Sequence, residues 1–462
     1  MPRLNSSALP SRQFWGLVVV LAALFLMGGS SRSDVQSLAI LTPVTALCCG
    51  VALLTCGQEH LRDKKFWLGG FALLFLLVAF YLVPFPAELR AMSQGGDSLA
   101  AVRDKANLPN MSSALSITPT ATWQSFFSLF APFAVFLFAM QLTRDELILT
   151  LPIVIFIGAI SGIIGVLQLA GSTEGSLYLY RITNNGSAVG LFANRNHAAV
   201  LLACLFPILA VFAKKSRGTG SGGRNMPKLF AMSVAILLVP LILVTGSRVG
   251  LLTSIIGMIG GALLYGSQLS TNNLQKKDPA RTYILAASVM LCLVFATIYF
   301  ARAEAIDRLF SDASTAISRA EFWTASLNLF WKYFPFGFGP GSFVPVFQSE
   351  EPFVLLSQSY LNRLHNDWLE TGLIFGVPGI LLMISAVVYY ARRSFLLWFR
   401  MDGRRSAVVL GRMASVIIAI LGIASMSDYP LRTPAMMGLA ALVLLWFAEA
   451  RREPKVTADN PD

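Results

Sequence analysis

Charge is scarce in this chain. Only 13% of its 462 residues are Asp, Glu, Lys or Arg, against 55% hydrophobic ones, and the mean hydropathy is +0.65. A soluble domain of this length cannot hide so much apolar surface, whereas lipid covers it on a membrane protein. Cysteine is also scarce: Cys48, Cys49, Cys56, Cys204 and Cys292 lie in or beside apolar runs, at no zinc-ligand spacing and in no long polar loop. That excludes a disulfide framework and a thiolate metal site, and leaves packing as their role. No Asp-x-Asp pair occurs, and histidine appears only as His60, His197 and His365. No carboxylate or histidine cluster therefore offers itself to a divalent cation, and neither a metal nor another cofactor is expected. The acids are outnumbered by bases, giving a net charge of +12. On a soluble domain this would suggest nucleic acid. Here the bases sit in short loops between apolar runs, with no basic stripe interleaved with aromatics, so no nucleic-acid partner is expected.

What the sequence does have is long apolar runs. About twelve are long enough to span a bilayer, near 14–30, 36–56, 66–84, 124–142, 148–170, 197–213, 229–245, 249–266, 282–301, 373–391, 407–427 and 433–449. The runs at 197–213 and 229–245 are short, and a re-entrant segment could replace one. The first run, with Arg3 and Arg12 before it and Gly28-Gly29-Ser30 after it, resembles a signal peptide. An uncleaved first helix is the better reading, because eleven more runs follow and no soluble outer domain does. With the N-terminus inside, 23 of the 36 lysines and arginines fall on inner segments and 13 outside, as the positive-inside rule requires. The expected fold is thus an all-α polytopic protein of the inner membrane, one membrane domain over 1–462, with both termini and the 451–462 tail cytoplasmic. Two outer segments are long, about 85–123 and 302–372. The second carries an amphipathic surface helix at Ile317–Tyr333, opened by Ser318-Arg319, with Trp323, Leu327, Phe330 and Trp331 near one face. The Gly/Pro turn from Phe336 to Gly341 must end it.

In this topology the unusual polar clusters share the outer rim: Asn194-Arg195-Asn196-His197, Thr245-Gly246-Ser247-Arg248, Ser318-Arg319, His365-Asn366-Asp367 with Glu370, and Ser427-Asp428-Tyr429-Pro430 with Arg432. Each has a purely structural reading. Arg248 could snorkel at a helix end, although its very short turn should hold it in the bundle. Arg319 could be a solvated face residue, His365 a capping histidine, and Arg195 and His197 a helix start. Asp428 and Arg432 could pair to brace a turn, and His60, in an inner charged loop, has no role. Convergence on one rim argues for a site. Arginine supplies planar, permanently charged donors for a pyrophosphate leaving group, and histidine suits removal of a hydroxyl proton.

These motifs carry a resemblance. Phe192 to Ala199, Thr245 to Arg248, Arg319 with Phe322-Trp323, Pro335 to Phe343, and His365 to Glu370 with Gly372 resemble, in order and spacing, the O-antigen ligase and O-antigen polymerase superfamily over about 190–380. The resemblance implies a fold like that of the C-type glycosyltransferases and an undecaprenyl-pyrophosphate-linked glycan as donor. It also implies metal-independent transfer with inversion, and a periplasmic site. It places Arg248 and Arg319 on the donor pyrophosphate and His365 as general base. The shared rim, apart from the resemblance, makes Arg195, Asn196, His197, Asn366, Glu370, Asp428 and Arg432 candidates for the acceptor cavity. The acceptor would be lipid A core for a ligase or a growing glycan for a polymerase. The Asn-Arg-Asn-His cluster and the long outer loop lean towards the polymerase, and polysaccharide-assembly proteins are candidate partners. A transporter or flippase of lipid-linked oligosaccharide is the alternative. It should place charged or broken-helix sites near the midplane, whereas the mid-span stretches here are nearly charge-free. A purely structural membrane scaffold would leave the arginines and histidine of the rim unexplained.

The orientation is testable with reporter fusions. A reporter after Lys215 should report the cytoplasm and one near Gln348 the periplasm; the reverse pattern would put the polar rim in the wrong compartment.

Overall fold

A computed structural model describes residues 9–85, 105, 113–173, 175–215, 226–266, 313–356, 360–403 and 405–449, without the side chains of 85, 113, 215 and 313–320. The chain is a bundle of helices: α1 (Arg12–Met27), α2 (Leu38–Leu54), α3 (Gln58–Asp63), α4 (Lys65–Phe80), α5 (Pro119–Ser128), α6 (Phe130–Ala139), α7 (Arg144–Ala170), α8 (Arg195–Lys215), α9 (Met226–Val244), α10 (Arg248–Gly266), α11 (Ala313–Lys332), α12 (Phe343–Glu350), α13 (Asp367–Phe399), α14 (Ser406–Ala424) and α15 (Pro434–Glu449). A two-residue antiparallel pair, β1 (Pro84–Phe85) with β2 (Ser113–Ala114), closes the segment after α4. The expected spans each fall on one of these helices, except 124–142, which runs over α5 and α6, and 282–301, which lies outside the described residues, as does the 451–462 tail. Among the described residues, seven spans are long and apolar enough to cross a membrane, while α1, α2, α4 and α15 are shorter apolar helices.

Three expectations need correction. The runs at 197–213 and 229–245 are continuous helices of 21 and 19 residues, with no re-entrant segment. Their polar starts, Arg195-Asn196 and Met226-Pro227-Lys228, are simply helical too. The surface helix begins at Ala313, so Ser318 and Arg319 lie inside it instead of opening it. Its apolar residues serve two neighbours. Trp323 and Phe330 join Leu329 and Tyr333 against a second core formed with Phe338, Phe343 and Phe347, while Leu327 and Trp331 remain exposed.

Register in the main core comes from glycine. Gly250, Gly257 and Gly261 of α10 lie directly on Ala199, Ala203 and Phe206 of the parallel α8, and a Cβ at Gly250 would overlap that of Ala199. Small residues let two backbones approach this closely where lipid gives helices no hydrophobic drive to associate. The contact brings Arg248 to the same end of the bundle as Arg195 and His197. The opposite end is where basic side chains meet helix C-termini. Lys214 donates to the Leu264 and Tyr265 carbonyls of α10, Arg393 to those of Phe447 and Ala448, and Lys64 pairs with Glu449. Cations are favoured at such termini.

The second core is keyed into the bundle through a break in α13. Gly376 has φ +56 and ψ −139, a conformation essentially closed to side-chain-bearing residues. Carbonyls freed there are taken by the Gly/Pro turn: Phe338 N–H donates to Leu373 O (3.3 Å) and Gly339 N–H to Ile374 O (3.0 Å), while Val377 N–H donates to Pro335 O (2.8 Å). The buried Tyr81 hydroxyl bonds the Phe336 and Phe375 carbonyls. Irregular backbone is tolerated at membrane depth only when protein satisfies it in this way. The turn thus does more than end the surface helix; it fills the break.

A Cβ at Gly376 would strike the Pro335 carbonyl and Phe336 backbone. Gly376→Ala should destabilise the protein by about 1–3 kcal/mol, read as a lower unfolding midpoint in detergent. An unchanged midpoint would show that the turn does not lock the break.

Candidate active site

Three helix ends meet where the bundle opens. The start of α8 brings Asn194 to His197, the loop before α13 brings His365, and the short 3-10 turn between α14 and α15 (Pro430–Arg432) follows Asp428-Tyr429. At the junction lies Asp428, fully buried. Its Oδ2 accepts from Asn196 Nδ2 (2.5 Å) and Asn194 Nδ2 (3.4 Å), and its Oδ1 from the Tyr429 backbone N–H (2.9 Å). The same Oδ1 faces His365 Nδ1 at 3.3 Å and His197 Nε2 at 3.7 Å. Both are close contacts without hydrogen-bond geometry: His365 Nδ1 and both ring nitrogens of His197 have no hydrogen-bond partner among the described residues. Burial alone would push the Asp428 carboxyl up; the two histidines outweigh it and hold the group well below the usual carboxylate range. The Tyr429 ring stands between the imidazoles, its centroid 5.1 Å from that of His197 and 4.8 Å from that of His365.

His365 is the one non-glycine residue with positive φ (57°) among the described residues. Such a backbone persists only when its surroundings hold it, and here they do on both sides. The Leu364 N–H donates to Glu370 Oε2 (3.0 Å), and Trp323 of the surface helix donates to Leu364 O (3.2 Å). Asn366 caps α13 by accepting from Leu369 N–H. The fully buried Glu370 also takes Arg363 (3.0 Å) and lies 3.7 Å from Arg432, which bonds Asp367 (2.7 Å). Arg432 therefore does not brace Asp428, contrary to the sequence reading. Two carboxylates at the first turn of α13 claim it, while Asp428 turns to the histidines.

His365, His197, Asn196 and Arg195 line one cavity of about 300 Å³, closed by Ser30 to Arg32, Asn184, Asn362 and Tyr429. Asn366, Glu370 and Arg432 stand behind it. Arg248 opens α10 at the same end, but its side chain is exposed and outside the cavity walls. The short turn buries Thr245 and Ser247 and turns the arginine outward instead of holding it in the bundle. Arg319 lies in α11, four residues before Trp323; its side chain is outside the description. Sequence reasoning gave no role to Arg363, Asp367 or Tyr429, although Asp367 and Tyr429 stand in the motifs and Arg363 lies two residues before one. It missed Arg32, whose Ser-Arg-Ser-Asp run directly after the first span lies on the same rim.

Residues 233–384 match the family model of the O-antigen ligase domain, Wzy_C, the superfamily that the motifs resemble. No curated protein matches the chain in sequence. The likeness is to the matched stretch, which is about a third of the chain. It contains Arg248, Arg319 and His365, while Arg195, His197, Asp428 and Arg432 lie outside it and reach the site only through the fold.

A carboxyl depressed by its folded surroundings adds stability above its unfolded pKa, about 3.9, and loses it as pH falls through the lower folded value. Asp428→Asn should therefore lower the unfolding midpoint most near neutral pH, by roughly 3–5 kcal/mol as for a broken buried pair. The gap should narrow once pH falls below about 4. A gap independent of pH would show that Asp428 is not held as the anion.

Proposed function

We propose that the chain transfers a glycan from undecaprenyl pyrophosphate to an acceptor hydroxyl at the periplasmic face of the bacterial inner membrane. The acceptor is lipid A core or a growing polysaccharide chain. The observation that carries this reading is the His365–Asp428 contact at the wall of an open cavity. With Nδ1 turned to the carboxylate, that nitrogen holds the proton and Nε2 is left to act as base. The acceptor oxygen attacks the anomeric carbon from the face opposite the pyrophosphate, and its proton passes to His365 Nε2. As the new C–O bond forms, the bond to the pyrophosphate breaks and the electron pair leaves on the phosphate oxygen, inverting the anomeric centre. Arg248 and Arg319 are assigned to that developing charge, as permanently charged forked donors. Arg363, Glu370, Asp367 and Arg432 hold the strained His365 loop, so the base needs little reorganisation.

A transporter reading has no support in the family match. Among the described residues, the break in α13 is filled by the chain's own turn at Pro335 to Gly339, which leaves no open site at that break.

Separate assays of donor binding and transfer in membranes test the roles. His365→Ala should slow transfer by about 100- to 10,000-fold with donor binding nearly intact. Arg248→Lys and Arg319→Lys should lose on the order of 100- to 1,000-fold, because an ammonium lacks the planar fork. Near-normal transfer by His365→Ala would end the assignment and make His197 the better base. Activity should also survive EDTA; loss restored by magnesium or manganese would rule out arginines as the counter-charge.

A further inference from the structure

The exposed face of α11 changes character along its length. Glu321 and Thr324 are exposed first, then Leu327 and Asn328, and at the end Trp331 and Phe334. Trp331 is 69% exposed, and its ring lies 5.3 Å from that of Phe330 and 5.9 Å from that of Phe334. A second apolar surface lies beside this end. The short 3-10 turn Phe353–Leu355 leaves Phe353 and Val354 exposed at 92% and 90%, with Leu356 exposed as well. It packs along α11, and a Lys332–Glu350 ion pair ties the end of α11 to the end of α12 just before it.

Apolar side chains grouped in this way are a liability in water. The turn that follows Phe334 shows where they lie instead, because three apolar helices hold it. α13 takes it at the Gly376 break. Tyr81, just past the end of α4 that lies away from Lys64, bonds its Phe336 carbonyl. Gly341 rests on the Ala121 backbone in the first turn of α5. The stretch of α5 and α6 is long and apolar enough to cross a membrane, and so is α13. The end of α11 is therefore level with the ends of spanning helices, at the boundary between headgroups and acyl chains. Tryptophan favours that boundary, and an amphipathic helix there buries its apolar face by about 5–10 Å.

We propose that the end of α11 and the 353–356 tip are sunk in the lipid leaflet at the site's end of the bundle, as a two-point anchor. Leu327, Trp331 and Phe334 enter from the helix, and Phe353, Val354 and Leu356 from the tip. The partner is lipid: a face that runs from Glu321 to Phe334 fits a helix passing obliquely from water into a leaflet, whereas a helix resting flat on the surface would be apolar along its whole lower side. The anchor bears on the site. Trp323 of the same helix holds the Leu364 carbonyl beside His365 (3.2 Å), so the leaflet that supports α11 also sets the height of the His365 loop. The anchor does not depend on the glycan-transfer reading.

The test is spin-label accessibility on the full chain in lipid nanodiscs, with the five native cysteines changed to alanine. Labels are placed singly through Glu321→Cys, Trp331→Cys and Val354→Cys. At 331 and 354 oxygen, which concentrates among acyl chains, should relax the label more than a water-soluble nickel chelate does; at 321 the order should reverse. Labels at 331 and 354 as open to nickel as the one at 321 would put both surfaces in water and overturn the proposal. Labels shielded from both reagents would mean that protein covers them, a second copy or another part of the chain, and would overturn it too. A second measurement keeps the native cysteines. The tryptophan emission lost in Trp331→Phe should be quenched when the nanodisc lipids carry bromine on their acyl chains, and unquenched emission would contradict the embedding of α11. Neither experiment reads transfer, so failure of the transfer reading leaves their outcome standing.

Discussion

A buried carboxylate with no arginine or lysine beside it among the described residues is expensive. Asp428 loses its water entirely, and the penalty must be answered by local donors. Two asparagines and a backbone N–H supply them, and two imidazoles crowd its remaining face. Those partners come from the start of α8, the loop before α13 and the turn between α14 and α15. Satisfying one anion thus fixes three helix ends against each other, with His365 and His197 held at that point. The cavity exists because these ends are pinned while the chain between them is not required to close over it.

A second constraint sets where the His365 loop can lie. The break at Gly376 exposes carbonyls that membrane depth forbids leaving unpaired. The turn from Pro335 to Gly339 fills it and docks the second core onto α13. Trp323 then reaches from the surface helix to the Leu364 carbonyl, and Arg363 and Arg432 neutralise the two carboxylates of the first turn of α13. The membrane half of the chain and its surface half therefore meet on either side of a single strained residue.

Much of this was readable in the sequence. Apolar runs mark the helices because lipid requires about 20 apolar residues per span, and the motifs mark the rim. Pairing was less legible. Asp428 and Arg432 are four residues apart and invite each other, yet Arg432 answers Asp367 and Glu370. Nothing local announces two acids arriving from another helix. Arg248 looked enclosed because its turn is short, but a turn that buries Thr245 and Ser247 must face the next side chain outward. Arg32 passed unnoticed because its place in the wall depends on a cavity assembled from distant segments. Asn194 to His197 and Asn362 to His365 are alike over four residues, too few to signal a shared task. In the structure both deliver a histidine to the same carboxylate oxygen.

The account depends on Asp428 acting through His365 rather than only through the fold. A double-variant cycle on glycan transfer measures this directly, with donor binding followed in parallel. If the two side chains act as one unit, Asp428→Asn combined with His365→Ala should transfer no more slowly than His365→Ala alone, because effects within one catalytic unit are not additive. Fully additive losses, with donor binding unchanged, would show that the contact between them does no chemistry and would contradict the account.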